Sequence, residues 1–244
     1  MAEEVLSLLE LEGSERVLDV GCGNGKNTSE IAARVPRGSV VGVDFSATMV
    51  AFAQSQHAPA SHPNLEFAVA DARHLPFGPE FDLVVSFNAL HWIPEQAHAL
   101  QSIRAALKPD GRAQLRLVPK GERKSLENVI EETRFSSRWS EYFKTFHDPY
   151  LHLTPEAYAD LAIQNGFRIC GQHTEAKAWD FESRDAFRAF GSVTFVEWTQ
   201  HLPESERPSF VEDVLDRYRK VAVDAHGEEN FFRFYQMDVT LSPR

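Results

Sequence analysis

Five short β-branched runs recur along the first half of the chain, and they constrain the fold more than any other feature. They are "RVLDV" (Arg16–Val20), "VVGVD" (Val40–Asp44), "LEFAVA" (Leu65–Ala70), "FDLVVSF" (Phe81–Phe87) and "RAQLRLV" (Arg112–Val118). Their spacing of roughly 20 to 30 residues is the beat of strand–helix–strand crossovers. Helical patterns fill the gaps: "NTSEIAARV", "SATMVAFAQSQ" with Ser46 as its cap, and "PEQAHALQSIRAAL", closed by Asp110-Gly111 before the fifth strand. Most of these strands are apolar on both faces, as parallel strands covered by helices must be. The expectation is an α/β fold with an open, doubly wound, mostly parallel sheet.

The second half changes character. From Pro119 to about Thr154 it reads as polar, aromatic and helical, through "KSLENVIEETRFSSRWSEYF". A cleanly signalled helix then runs from the Thr154 cap and Pro155 to the Asn165-Gly166 stop. "FRICGQ" reads as a strand, "SRDAFRAFGSVTFVEW" and "ERPSFVEDVLDRYRKVA" as helices, and "FFRFYQMDVTL" as the last strand. This makes seven strands, with helical insertions after strand five and before the last. With 244 residues, 43% of them hydrophobic, the chain suits one domain over 1–244. Its core is expected at 14–118, cap insertions within 119–230, and the last strand at 231–241.

Cys22 and Cys170 make no disulfide framework, and no apolar run nears the roughly 20 residues of a membrane span. No early stretch reads as a signal peptide, so the expected setting is cytoplasmic, with no membrane partner. Asp and Glu number 36 against 25 Lys and Arg, a net charge of -11. Nucleic-acid affinity rests on a basic surface, so no nucleic-acid partner is expected.

After the first strand comes "DVGCGNGKN", where Gly21, Gly23 and Gly25 read G-x-G-x-G. The dinucleotide fingerprint needs G-x-G-x-x-G, and here the next position is Lys26. The early third glycine weakens the case for a pyrophosphate and for NAD. What remains is a tight turn whose bare backbone admits a ligand closely, or simply a tight turn. Asp19 puts a carboxylate beside it, which suits a cationic ligand better than a diphosphate.

"VLDVGCGNG", "VVGVDFSATMV", "FAVADARHLPF", "FDLVVSFNALHW" and "LKPDG", together spanning Val17 to Gly111, resemble the class I S-adenosylmethionine (SAM)-dependent methyltransferases, with their Rossmann-like sheet. The resemblance implies SAM as cofactor, S-adenosylhomocysteine as its product, no metal, and a small-molecule methyl acceptor on a monomer or weak homodimer. By the same resemblance Gly21, Cys22, Gly23 and Asn24 line the methionine part of SAM, with Asp19 beneath its ammonium. Asp44 takes the ribose hydroxyls, Phe45 and Met49 flank the adenine, and Asp71 with Ala72 meets its amino edge. Asn88 and Ala89 close over the methionine part. Each has a plainer reading: Asp44 as a helix N-terminal charge, Asp71 as a turn former, Met49 as helix core. Cys22 reads as a small residue in a turn, not a nucleophile. Many members carry a longer arm before the first strand. Here only a short amphipathic helix, "AEEVLSLLELEG", precedes it, so either an arm is missing or the late insertions close the site.

Methyl transfer from a sulfonium is an in-line displacement that depends chiefly on orientation. His91, in "NALHW", is the candidate base or substrate-positioning residue, or else a histidine bonded to backbone at a helix start. Trp92 reads as an aromatic wall. Trp139 and Tyr142, three apart on an expected helix, are candidate pocket residues or helix packing. A metal at His57 and His62, in "QHAPASHP", is set aside because convergent partners are lacking. Arg116 lies on an expected central strand and needs a carboxylate partner, read here as structural. "SSRWSEYF" and the closing segments resemble the subgroup that methylates carboxylic acids, such as trans-aconitate and juvenile hormone acid methyltransferases. The expected reaction is O-methylation of a small carboxylic acid. Alternatives are a natural-product or quinone C-, N- or O-methyltransferase, or a SAM-binding protein without transferase activity.

Overall fold

The computed structural model describes residues 2–57, 62–148 and 150–244, so residues 58–61 of the "QHAPASHP" loop lie outside the described residues. Seven strands form one sheet among the described residues: β1 (Arg16–Val20), β2 (Ser39–Asp44), β3 (Leu65–Val69), β4 (Phe81–Phe87), β5 (Leu107–Leu117), β6 (Phe167–Asp180) and β7 (Phe231–Pro243). Their order is β3-β2-β1-β4-β5-β7-β6. The pairs β3–β2, β2–β1, β1–β4 and β4–β5 are parallel, and β5–β7 is antiparallel. The order reverses between β1 and β4. Ligands in such sheets bind outside the carboxyl ends of the strands at that reversal.

The chain divides into two compact units. The first comprises Met1–Pro119, Tyr150–Thr174 and Met237–Arg244, and the second Lys120–Pro149 and Glu175–Gln236. The expected core therefore falls inside the first unit, but residues 150–174 join it instead of the cap, because they supply a helix and a strand to the sheet.

Helices α1 (Ala2–Ser7), α2 (Lys26–Arg34), α3 (Ala47–Gln56) and α4 (Gln96–Ala106) accompany the first five strands. The predicted caps form: Ser46 Oγ accepts from Met49 N at 3.3 Å at the head of α3. Along β1 the side chains alternate. Leu18 and Val20 enter one apolar cluster with α4, while Val17 enters another with Ile31 and Ala32 of α2. Each such fully buried aliphatic side chain contributes about 1.5–3 kcal/mol. Asp19 shares the face of Val17, which decides its surroundings.

The "KPDG" segment differs from expectation. It turns after α4, but β5 already pairs at Leu107, opposite Phe81, and the register then slips so that Arg112 faces Leu83. Lys108 reaches Asp82 at 2.7 Å across this bulge. The second unit's first segment carries α5 (Leu126–Arg134), and past it comes α6 (Pro155–Gln164) of the first unit. Thr154 Oγ1 caps α6 through Ala157 N at 3.2 Å, and Gly166 ends it at φ +84°.

In the second unit α5 packs on α9 (Arg207–Ala222), as does α7 (Arg184–Thr194), which is followed by the single turn α8 (Val196–Thr199). The expected continuous helix through "SSRWSEYF" breaks after Arg134 and resumes as a 3₁₀ turn over Ser140–Phe143. Ser136 Oγ donates to the Thr133 carbonyl at 2.7 Å, helping to end the helix there.

Arg116 pairs with Asp238 in register across β5 and β7, by two contacts of 2.7 Å, and with Glu4 at 3.2 Å. The structural reading of Arg116 therefore holds. Its side chain is 3% exposed, so removing Asp238 leaves a buried charge with only the longer Glu4 contact. Asp238→Ala is expected to cost about 3–5 kcal/mol in urea unfolding. The apolar double substitution Arg116→Met with Asp238→Leu should recover most of that loss, and a single substitution costing under about 1 kcal/mol would contradict the assignment.

Candidate functional site

The turn after β1 is built by three left-handed glycines, each for its own reason: Gly21 (φ +80°), Gly23 (φ +53°) and Gly25 (φ +76°). A Cβ on Gly21 would lie 2.2 Å from Ala89 Cβ, so the turns after β1 and β4 meet there. A Cβ on Gly25 would lie 2.6 Å from the Phe67 ring, so this third glycine lets the head of α2 pack on β3. Gly23 has no atom within 4 Å of that position, leaving open space over the backbone. The backbone N–H groups of Gly21 and Cys22 both donate to the Val43 carbonyl, at 2.8 and 3.0 Å.

Asp44 organises the same turn from the end of β2. Its Oδ2 accepts from Gly23 N and its Oδ1 from Ser46 N, both at 2.9 Å. An ionised carboxylate has about four acceptor sites, so each oxygen keeps capacity for a hydroxyl donor. Its helix-head role and a ligand role are thus compatible.

Asp19 is 2% exposed, and Thr28 Oγ1 donates to its Oδ2 at 2.7 Å. Burial pushes its pKa up to about 7; the Thr28 hydrogen bond opposes this, and the Asp44 charge adds to it. Cys22 is buried too, and burial with the two carboxylates pushes its thiol well above the ordinary range, leaving it inert.

A cavity of about 460 Å³ opens at the carboxyl ends of the strands, within the usual range for a small-molecule site. Of the expected residues, Gly21, Asp44, Phe45, Asp71, Ala72, Asn88, Ala89 and Trp92 line it. Phe45 is 76% exposed, an aromatic face turned out beside a cavity. Met49 is exposed on α3, and Asn24 is exposed, its Oδ1 accepting from Lys26 N at 3.1 Å. Neither lines the cavity. Asn88 is left-handed (φ 57°), a conformation asparagine tolerates better than most residues, and its N–H donates to the Arg116 carbonyl at 2.8 Å.

Asp71 caps the 3₁₀ turn Ala72–His74, accepting from Arg73 N at 2.9 Å, which is the turn-forming role. It also holds the Arg73 guanidinium at 2.7 and 3.0 Å, and those hydrogen bonds keep its carboxyl below the ordinary range. Arg73 lines the cavity and reaches Glu95 at 3.1 Å. The sequence reading passed over Arg73, although an acid and a base two apart at a strand end is a usable signal.

His91 sits directly before Trp92 in the 3₁₀ turn after β4, but its side chain is buried and does not line the cavity. Burial, and then the neighbouring His152, push its pKa down to about 3, so the ring is neutral at physiological pH. The His91 carbonyl accepts from Leu151 N at 3.2 Å, which draws residues 150–152 onto this turn. Tyr150 and His152 thereby join His91 and Trp92 in a four-ring cluster that no periodicity in "DPYLHL" announced.

Trp139 and Tyr142 fall in the second unit. Trp139 is 1% exposed, donates from Nε1 to Asp213 at 2.8 Å and packs edge-on against Phe210. It is a core residue of that unit, as the helix-packing alternative had it, with Tyr142 exposed beside it. Among the described residues no three His, Cys, Asp or Glu side chains gather into a metal-holding group. Likewise, none of the described helices is long and apolar enough to cross a membrane.

Residues 17–111 match the family model described as a methyltransferase domain. A trans-aconitate 2-methyltransferase of Deinococcus radiodurans is 32% identical over 164 residues, covering 66% of this chain and 61% of that protein. One from Shigella dysenteriae is 27% identical over 224 residues, covering 90% of this chain and 81% of that protein. The crystal structure of a putative methyltransferase from Bacillus halodurans superposes with a TM-score of 0.70 at 20% identity, covering 100% of this chain and 99% of that one. The glycine turn, the sheet order and these relatives agree: the chain belongs to the class I SAM-dependent methyltransferases, and it is an enzyme of that family.

Proposed function

We propose that this enzyme methylates the oxygen of a small, partly apolar carboxylic acid by direct in-line transfer, in a cytosolic setting and without a metal. SAM brings the methyl group on a sulfonium sulfur and leaves as S-adenosylhomocysteine. The residues of the first unit suit it. The buried Asp19 carboxylate, whose charged neighbour is another carboxylate, is stabilised by an ammonium group and not by a phosphate. Gly23 gives backbone that a ligand can approach and Gly21 lines the cavity, with Cys22 and Asn24 beside them in the turn. Asp44 offers lone pairs to two hydroxyls and Phe45 an apolar face to the adenine, with Met49 exposed on α3 outside the cavity lining. Asp71 and Ala72 border the adenine edge, and Asn88 with Ala89 the methionine end.

One observation carries the choice of acceptor. His91, the candidate base, is buried and held neutral with a pKa near 3. A base that weak is poorly matched to an amine or phenol, since general-base catalysis favours a pKa near the working pH. A carboxylic acid, with a pKa near about 4, is already anionic and needs only positioning and exclusion of water. His91 then acts by holding Trp92 and the turn after β4 in place. The names of the Deinococcus and Shigella relatives, trans-aconitate 2-methyltransferases, support an acid acceptor. Trp92 remains the proposed acceptor contact; Trp139 is core of the second unit and Tyr142 is exposed in that unit, so neither is assigned to the acceptor.

Transfer of labelled methyl from SAM to a panel of acids, amines and phenols tests this reading. The expected product is an alkali-labile ester, and a stable methylated amine or phenol would sink it. Asp44→Ala should weaken SAM binding by roughly ten- to a hundredfold in calorimetry, since hydrogen bonds to a charged group are worth about 1.5–3 kcal/mol. Unaltered affinity would remove Asp44 from the cofactor site.

A further inference from the structure

Trp92 is the large aromatic side chain on the β4 side of the cavity, 38% exposed. It stands at the end of the short 3₁₀ turn Leu90–Trp92. Tyr150 packs most closely against it, with ring centroids 4.3 Å apart and planes inclined at 46°, and the His91 ring lies at 5.9 Å. Tyr150 is not on a helix or strand, yet its backbone neighbour is clamped twice. Leu151 N donates to the His91 carbonyl at 3.2 Å, and the Leu151 carbonyl accepts from the buried Gln96 side chain at 2.8 Å. Behind Tyr150, His152 packs edge-on at 5.8 Å, and His152 in turn meets His91 at 5.6 Å. The segment thus ties Tyr150 to the same turn that carries Trp92.

We infer that Tyr150 is a positioning residue for the methyl acceptor: it fixes the plane of the Trp92 indole, and through that wall it selects acceptors with a flat or apolar body beside the carboxyl group. This inference rests on the proposed acid acceptor. A tilted aromatic pair at this distance is held by quadrupole and dispersion attraction, which a tyrosine or phenylalanine supplies and an aliphatic side chain does not. Fixing the wall before binding spares the acceptor the entropy of ordering it.

The test uses the full-length enzyme with an acid that the unsubstituted protein converts to an alkali-labile ester. Tyr150→Ala should raise the acceptor KM by roughly three- to tenfold while the SAM Kd stays within twofold. Tyr150→Phe should restore the parent KM. In a Trp92→Ala background, Tyr150→Ala should add little, because the two act as one unit. An unchanged acceptor KM for Tyr150→Ala, a Phe variant as damaged as the Ala variant, or full additivity with Trp92→Ala would each overturn the inference. SAM affinity reports that the variant is folded. Should Tyr150→Ala lose it, the comparison of Tyr150→Leu with Tyr150→Phe is read by the same criteria. Failure of every acid to give an ester would instead overturn the acceptor assignment, a different result from ester formed with an unmoved KM.

Discussion

A carboxylate buried in an apolar cluster is costly unless something answers its charge, and this fold places Asp19 in that position. Its face of β1 is set by the two-residue period of the strand, which puts it with Val17 against α2. There Thr28 gives it one hydrogen bond, and its charged neighbour is the carboxylate of Asp44. The proposed partner for that charge is the ammonium group of SAM. The glycine turn that follows leaves backbone exposed directly above that strand end.

The turn itself is fixed by contacts at several of its positions. Gly21 must be bare because Ala89 approaches from the turn after β4, and Gly25 because Phe67 and Ala53 lie under the head of α2. Asp44 binds the middle of the turn through Gly23 N–H and steers the start of α3 through Ser46 N–H. One carboxylate therefore links the turn after β1 to the end of β2, and Gly21 and Asp44 of these two segments line the cavity. Only Gly23 is open above, which is where a ligand can come close to the backbone.

Much of this was legible in the sequence. The strand-and-helix beat, the caps at Ser46 and Thr154, and the G-x-G-x-G turn all depend on local chemistry, and each formed within a few residues of its expected place. The register slip at "KPDG" was not legible, because it depends on the Phe81 partner and not on the turn residues themselves. Trp139 could be read as pocket or core from its spacing; its Asp213 partner lies more than seventy residues away. Likewise the hydrogen bond from Leu151 to the His91 carbonyl, which assembles the aromatic cluster, joins segments about sixty residues apart. Long-range partners of polar and aromatic side chains were the recurrent blind spot.

Burial gives the nucleophile, base and charge roles their shape. Cys22 is silenced and His91 is neutral, both by desolvation, while Asp19 stands near the point of ionisation. Because its folded pKa lies above the unfolded value, Asp19 favours the unliganded fold most at low pH, and that contribution is lost as pH rises from about 4 through about 7. A cationic ligand reverses the balance by favouring the ionised form. The most direct measurement is therefore proton release on SAM binding, by calorimetry in buffers of different ionisation enthalpy between about pH 5.5 and 7. Release approaching one proton near pH 6, affinity rising with pH through this range, and loss of both effects in Asp19→Asn would bear the account out. Buffer-independent heats with a flat affinity would contradict it.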